Sequence, residues 1–275
     1  MSRTNMNASA GRTDRLSALR DAQETDEQVE NRLTERFEIL DMLTHACTSG
    51  KARSLIVSGP AGLGKSYTVE HHLSKWDPNG VNHTIVKGFV RATGLVKLLY
   101  QHREPGQVLV FDDADSVFFD DVSLNLLKAT CDTTEQRRVS WLSEGNLVDE
   151  ESGERMPRSF DFDGSIIFIS NMDFDAMIDA NHKLSPHLSA LISRSHYVDL
   201  SMRTRRDYLV RIRQVIVEGL LDHLTIDQRV DVMNFIEVHS DRLRELSLRV
   251  ALKVGALRAA SEDWARIALV TCCRM

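Results

Sequence analysis

The chain has 275 residues, of which 42% are hydrophobic and 27% charged, and its formal net charge is −6. This composition is ordinary for a soluble globular protein, and no apolar run approaches the roughly 20 residues of a membrane span. Residues 1–7 lack the apolar core of a signal peptide, so we expect a cytoplasmic protein with no membrane partner. A protein that binds nucleic acid with its whole surface is usually basic, so the acidic balance gives such binding no support. The net charge does not exclude nucleic acid that is bound by a local basic patch or in the channel of a ring.

The four cysteines occur at scattered positions: Cys47, Cys131, Cys272 and Cys273. None of them forms the C-x-x-C pair of a zinc site. We therefore expect free thiols, including the adjacent pair near the end of the chain.

The first 200 residues of the chain alternate between strand and helix patterns. Residues 1–30 are polar and predict a disordered tail, whereas apolar residues at helical spacing from Arg36 to Cys47 predict a helix. Apolar segments predict strands over 54–58, 81–89, 107–111, 165–170 and 196–200. Helical patterns cover 94–102, 115–131 and 187–194. This alternation predicts an α/β fold with a doubly wound, parallel five-stranded sheet.

Two further patterns complete the organisation. Residues 138–142 and 159–162 alternate at period two around an acidic, glycine-containing segment. This pattern predicts an insertion at about 136–163, as a β-hairpin or, alternatively, a long excursion of the chain. Beyond residue 202 only helical patterns follow, over 208–221, 226–238 and 245–260. We therefore expect a tail over 1–30, an α/β core over 31–202 and a small C-terminal α-helical lid over 203–275.

The most informative motif is G-x-x-x-x-G-K-S, which runs from Gly59 to Ser66 between a predicted strand and a helix-like segment. Its glycines allow a tight turn whose backbone N–H groups cradle phosphate, as in the phosphate-binding loop (P-loop). Lys65 would bind the β- and γ-phosphates, and the Ser66 hydroxyl would bind Mg²⁺. The predicted nucleotide contacts are Gly59, Pro60, Ala61, Gly62, Leu63, Gly64, Lys65, Ser66 and Tyr67.

A second acidic motif follows the predicted strand 107–111. Asp112 would hold Mg²⁺, through water, and Asp113 would orient and deprotonate the attacking water. An acidic strand-end turn is the alternative, but its pairing with the phosphate loop favours a nucleotide site.

In this combination the chain resembles the AAA+ ATPases over about residues 33–255. The resemblance implies ATP as the nucleotide, Mg²⁺ as its metal and self-association into a ring. Asn171 is similar to the sensor 1 residue, Arg194 to the arginine finger and Arg249 to the sensor 2 arginine. The alternatives are a strand-end turn for Asn171, a dipole-favoured helix-end arginine for Arg194 and an exposed lid charge for Arg249. One position departs from the family, which usually has glutamate where this chain has Asp113. Slow hydrolysis is therefore one alternative. Asp115 could share with Asp113 the role of orienting and deprotonating the attacking water.

The substrate is not fixed by these motifs. By resemblance, the loop with Phe89 and Arg91 faces a ring channel, although Phe89 could equally pack in the core. The hairpin base carries Arg137, Arg138 and Trp141. These residues would contact nucleic acid or a neighbouring subunit, or they simply pack the hairpin. We first expect a DNA motor or loader in replication, recombination or repair. A chaperone that remodels proteins and a slow nucleotide switch are the alternatives.

Overall fold

The computed structural model describes residues 24–142, 147–149, 153–180 and 182–274. The chain divides into two compact units. One comprises residues 36–201, and the other comprises 202–274 together with 24–35. Among the described residues, no helix has both the length and the apolar character needed to cross a bilayer.

The unit 36–201 is built on a parallel sheet. The strands among the described residues are β1 (Ser54–Ser58), β2 (His83–Lys87), β3 (Val108–Asp112), β4 (Arg138–Ser140), β5 (Ser159–Asp161), β6 (Ser165–Ser170) and β7 (His196–Asp199). Five of them form one sheet in the order β2-β3-β6-β1-β7, with all neighbours parallel. Strands β1, β3 and β6 are buried throughout, as near-continuous apolar strands in parallel sheets usually are. The predicted α/β fold with a parallel five-stranded sheet is thus confirmed.

The remaining pair, β4 and β5, is antiparallel and lies outside this sheet. It arises from the two runs with period-two alternation. A bridge between Val148 and Arg155 continues the pairing toward the tip. Residues 150–152 of the predicted acidic tip lie outside the described residues.

The helices alternate with the strands. They are α1 (Asp26–Thr48), α2 (Lys65–Trp76), α3 (Ala92–Gln101), α4 (Asp121–Thr130), α5 (Phe174–Asp179), α6 (Ser185–Ile192), α7 (Arg205–Val215), α8 (Ile226–Val238), α9 (Leu248–Ala260) and α10 (Trp264–Cys272). A 3-10 helix covers Asp115–Phe118, and a π-helical turn, Ile216–Leu220, directly follows α7.

Helix α1 begins inside the segment 1–30 that the sequence predicts as a tail. Thr25 and Gln28 form a capping box, in which each side chain bonds the backbone N–H of the other residue. Asp26 and Glu27 add acidic charge to the first turn, where it favours the helix dipole. This start signal outweighs the polar composition that suggested a tail. Residues 1–23 lie outside the described residues.

The predicted helix over 115–131 is divided in two. Asp120 accepts hydrogen bonds from the backbone N–H of Ser123 at 2.9 Å and from its hydroxyl at 2.7 Å. A new helix, α4, therefore starts at Asp121, and the preceding residues form the 3-10 turn. The apolar period continues across this break, which is why periodicity alone predicts one helix.

Aromatic rings fill the core beside the sheet. Phe111 and Phe168, on neighbouring strands, stack with centroids 5.5 Å apart. Phe118 packs on Phe168 at 5.4 Å and against the edge of Phe174 at 5.3 Å. Burying aromatic rings of this size stabilises a core strongly. This cluster fixes the segments that follow β3 and β6, where the site lies.

The second unit is helical and has its own core, with Ile212, Val232, Ile236 and Val254 among its members. Asp207 is only 1% exposed and accepts bonds from the Thr204 hydroxyl at 2.7 Å and the Arg203 N–H at 3.1 Å. Arg32 of α1 lies 3.4 Å from the same carboxylate. The start of α1 is therefore tied to the helices of this unit.

The four cysteines are all buried, and their thiols are free, as the sequence predicts.

Candidate functional site

The G-x-x-x-x-G-K-S loop connects β1 to α2, and its backbone requires glycine. Gly59, Gly62 and Gly64 have φ values of 148°, 74° and 100°, which L side chains rarely adopt. A Cβ atom at Gly59 would also lie 3.0 Å from the Leu200 carbonyl carbon. The loop therefore has its tight shape because of these glycines, and Gly59 allows the close approach of the chain after β7.

The N-terminus of α2 is left open. Gly64 caps it in a left-handed conformation and provides no side-chain hydrogen bond. The first turn carries no acidic residue of its own. Such an end, with its positive dipole, suits an anion.

Lys65, the first residue of α2, is buried at 5% exposure. Its ammonium donates to the carbonyl oxygens of Gly59 at 2.6 Å and Pro60 at 2.8 Å. It also donates to Asn171 Oδ1 at 2.9 Å. The positive charge is thereby held inside the curve of the loop, beside the polar residue that follows β6.

Ser66 and Asp112 meet at the carboxyl edge of the sheet. The Ser66 hydroxyl donates to Asp112 Oδ1 at 2.8 Å, and Asp112 is 3% exposed. A hydroxyl and a carboxylate at one point are the hard oxygen ligands that Mg²⁺ prefers. The donor set thus fits the metal that the sequence predicts for these two residues.

Asn171 joins the lysine to the second acidic residue. Its side-chain N–H donates to Asp113 Oδ1 at 2.6 Å while its oxygen accepts from Lys65. Asp113 is the one non-glycine among the described residues with positive φ, at 52°. Its N–H still bonds the Ile169 carbonyl at 3.0 Å, so the sheet continues to this residue. The left-handed turn comes immediately after the end of β3.

Asp115 lies one step further along. The Ser170 hydroxyl donates to its carboxylate at 2.6 Å. Burial raises the pKa of Asp115, and the nearby Asp113 carboxylate adds to this effect, while the bond from Ser170 and the charge of Lys65 oppose it.

Lys87 is a site residue that sequence reasoning did not select. It ends β2 directly opposite Asp112 in the parallel register. Its ammonium lies 3.0 Å from Asp112 Oδ2 and 2.7 Å from Glu70 Oε1 of α2. These two carboxylates raise the pKa of Lys87 to about 12, Glu70 contributing most. The sequence signal for this contact is a basic residue at the end of one predicted strand and an acidic residue at the end of the next.

The remaining loop positions differ in exposure. Leu63 is 1% exposed and belongs to the core, so only its backbone can face a ligand. Pro60 and Ala61 are half-buried. Tyr67 is 71% exposed, and its ring stacks on His71 at 5.6 Å.

Arg194 lies at the amino-terminal end of the parallel strands, opposite to the end where Asp112 and Asn171 lie. The hydroxyl of Ser54, the first residue of β1, donates to the Arg194 carbonyl at 3.2 Å. The Arg194 guanidinium bonds the carbonyl of Ala190, in the preceding helix α6, at 2.7 Å. Its Nε is buried and has no hydrogen-bond partner among the residues that the structure describes. The structure therefore does not bring Arg194 together with Lys65, Asp112 and Asn171 of the same chain.

Arg249 belongs to the helical unit, as the second residue of α9. Its side chain is 55% exposed and lies 4.0 Å from Glu245. Its role at a nucleotide remains a prediction.

The residues considered for substrate contact fall into two groups. Phe89 is 75% exposed, so the alternative that it packs in the core is wrong, and the Arg91 guanidinium carbon lies 6.0 Å from its ring centre. Arg137 is instead buried at 4% exposure, where it bonds the Thr130 carbonyl and faces Phe162. Trp141 packs against the core. Arg137 thus supports the hairpin from inside and is unsuited to touching nucleic acid.

The sheet and the loop together define a P-loop α/β protein. No family model matches the chain. The chain belongs to the same family as an uncharacterized 36.7 kDa protein encoded in the nrdC-mobD intergenic region of Enterobacteria phage T4. The two are 36% identical over 257 residues, which cover 90% of this chain and 77% of the phage protein.

Solved structures of other proteins are more distant. NtrX from Brucella abortus in complex with ATP is 13% identical with a TM-score of 0.48, over 84% of this chain and 51% of that chain. The Aeropyrum pernix Orc1 protein in complex with DNA is 14% identical with a TM-score of 0.43, over 86% of this chain and 61% of that chain. The chain thus spans about half to three fifths of the length of these proteins.

Proposed function

We propose that this protein is an AAA+ ATPase that binds ATP with Mg²⁺, hydrolyses it, and works as a ring. The observation that carries the proposal is the convergence of Lys65, Ser66, Asp112, Asp113 and Asn171 at one edge of the sheet. This edge is also where the glycine loop and the open N-terminus of α2 lie. Charge, hydroxyl, carboxylate and amide are the groups that phosphoryl transfer to water needs.

The loop and Lys65 would hold the phosphates. The Lys65 ammonium now bonds two neutral carbonyls, and exchange for phosphate oxygens would replace them with stronger, charge-assisted bonds. Ser66 and Asp112 would hold Mg²⁺, which supplies positive charge that stabilises the phosphate oxygens during transfer. The buried position of Asp112 keeps this carboxylate in a fixed orientation.

Asp113 would accept the proton of the attacking water. Asn171 would hold the Asp113 carboxylate in place and connect it to Lys65, since its side-chain amide bonds both residues. Aspartate is shorter than the glutamate usual in the family, so we expect slow turnover. Asp115, beside Asp113, is the second acid available.

Arg194 would act on a neighbouring subunit. It precedes β7 at the amino edge of the sheet, whereas the phosphate loop follows the carboxyl end of β1, roughly 13 Å further along the strand. Its guanidinium is therefore on the wrong side for its own site and suits the site of a second copy. Hydrolysis would then depend on assembly. Arg249 is proposed as the sensor 2 arginine on the family resemblance alone.

The substrate we propose is DNA. Phe89 is exposed and Arg91 lies beside its ring, a combination on which unpaired bases stack. The same exposed ring could grip an extended polypeptide, so protein remodelling is the second candidate.

The test measures binding and hydrolysis separately. Calorimetry with Mg²⁺ and ATP compares the wild type with Lys65→Ala, and Lys75→Ala, an exposed lysine on the same helix, is the control. Binding that is lost in Lys65→Ala alone supports the site. Hydrolysis is then followed with single-stranded DNA, double-stranded DNA or an unfolded protein. Stimulation by DNA supports the DNA role, and stimulation only by protein moves the assignment to remodelling.

A further inference from the structure

Asp112 has both carboxylate oxygens occupied by this chain's own groups. Ser66 bonds Oδ1 at 2.8 Å, and the Lys87 ammonium lies 3.0 Å from Oδ2. The carboxylate is almost wholly buried, with 4% of its side chain exposed. A buried carboxylate needs a nearby positive charge, and the Lys87 ammonium supplies one.

Lys87 is shared between two acids of different exposure. Its second partner, Glu70 Oε1, is at 2.7 Å, and 41% of the Glu70 side chain is exposed. Glu70 stands one helical turn after Ser66 on α2. The ammonium therefore has an alternative carboxylate in reach that requires no movement of the backbone.

We propose that Lys87 is a built-in counter-ion that blocks Asp112 against free divalent cations and moves to Glu70 when a metal binds. This inference rests on the proposed function in one respect, namely that Asp112 is the metal-binding carboxylate. A divalent cation at Asp112 repels the ammonium, and Glu70 then holds Lys87 away from the metal. The pair thereby favours a metal that arrives with nucleotide over one that arrives alone. Lys87 and Glu70 act as positioning residues.

The two residues have opposite predicted effects, which gives the test its strength. Loss of the ammonium in Lys87→Met frees Asp112, so free cations should bind about tenfold more tightly. Loss of the Glu70 charge in Glu70→Gln commits Lys87 to Asp112, so the same cations should bind more weakly. Matched controls are Lys75→Met and Glu38→Gln, which remove the same charges at exposed positions.

The experiment titrates each full-length variant with Mn²⁺ in the absence of nucleotide and counts free Mn²⁺ by electron paramagnetic resonance. In the presence of ATP, equilibrium dialysis measures the Mn²⁺ retained by the protein in excess of a protein-free control with the same ATP. Thermal unfolding confirms that each variant is folded, and Lys87→Gln replaces Lys87→Met if the latter fails to fold. Tighter binding in Lys87→Met together with weaker binding in Glu70→Gln supports the proposal. Equal affinities, or a change in the same direction for both, overturns it, because a merely structural role would weaken both.

The ATP arm separates this inference from the proposed function. If the wild type retains no Mn²⁺ with ATP, the nucleotide site is wrong, whatever Lys87 does. If it retains Mn²⁺ with ATP but neither variant changes the affinity without nucleotide, only the role of Lys87 is wrong.

Discussion

Asn171 and Asp113 are joined by a 2.6 Å hydrogen bond at the carboxyl edge of the sheet, and the same amide accepts from Lys65 at 2.9 Å. One side chain therefore connects the residue proposed to bind phosphate with the residue proposed to activate water. This connection depends on the turn at Asp113, whose φ of 52° follows directly after β3.

Asn171→Ala is expected to separate binding from hydrolysis. The lysine keeps its two loop carbonyls, so ATP binding should change little. Asp113 loses the donor that orients it, and we expect turnover to fall about 100-fold, as when one preorganised donor is removed from an active site. Single-turnover hydrolysis and calorimetry measure the two quantities. Asn125→Ala, at an exposed position on α4, is the control, and normal turnover in Asn171→Ala contradicts the assigned role.

Mixing two inactive variants tests the position of Arg194. Arg194→Ala should bind ATP but lose most turnover, because the guanidinium serves a neighbour. Lys65→Ala should bind no ATP but still donate its Arg194. A mixture of the two should regain part of the wild-type rate, since some interfaces join an intact loop to an intact arginine. The trans assignment fails if Arg194→Ala alone hydrolyses ATP normally or if mixing restores nothing.

Phe118 and Phe119 are neighbours with opposite environments, at 2% and 56% exposure. Phe118→Ala removes a ring that packs on Phe168 and Phe174, so the free energy of unfolding should fall by about 3–5 kcal/mol. Phe119→Ala should change it by less than about 0.5 kcal/mol. Urea unfolding of both variants compares them directly, and equal losses of stability would contradict the packing of Phe118 against Phe168 and Phe174.

Asp120 couples the start of α4 to pH. Hydrogen bonds from the Ser123 hydroxyl and N–H lower the pKa of Asp120 below the ordinary value. A carboxyl group with a lowered pKa in the folded state stabilises the protein above the unfolded pKa of about 4, and this contribution is lost as the pH falls through the folded pKa.

Replacement of Asp120 tests this coupling. Asp120→Ala should lower the free energy of unfolding by about 1 kcal/mol at pH 7, and its difference from the wild type should shrink below about pH 4. Asp120→Asn keeps a side-chain cap without a titrating group and should retain most of the stability at pH 7. A difference between Asp120→Ala and the wild type that stays constant down to pH 2 would exclude the capping carboxylate as its source.

The central strands were predictable because they are buried on both faces. Residues 54–58 and 165–170 form strands within the predicted bounds, since a short apolar run between polar turns has few other stable structures. The division of the predicted helix over 115–131 was not predictable from periodicity, because it depends on the Asp120 cap. The helix start at Asp26 lies within a polar segment whose composition predicts a tail, although Thr25 and Gln28 carry the capping signal.

The site was predictable in its motifs but not in its cross-strand contacts. The glycine loop, Asp112 and Asn171 follow from local patterns, whereas the pairing of Lys87 with Asp112 depends on the register of β2 against β3. Burial of Arg137 likewise depends on where the hairpin packs, which charge alone does not indicate. Long-range packing therefore decides which charged residues belong to the site and which support the fold.

The most direct test of the account is steady-state ATP hydrolysis with Mg²⁺ over a series of protein concentrations, for the wild type and for Lys65→Ala. The wild-type rate per chain should rise with concentration as subunits assemble, and Lys65→Ala should show no rate above background. Equal rates in the two proteins, or no hydrolysis by the wild type at any concentration, would contradict the assignment of this P-loop protein as an ATPase.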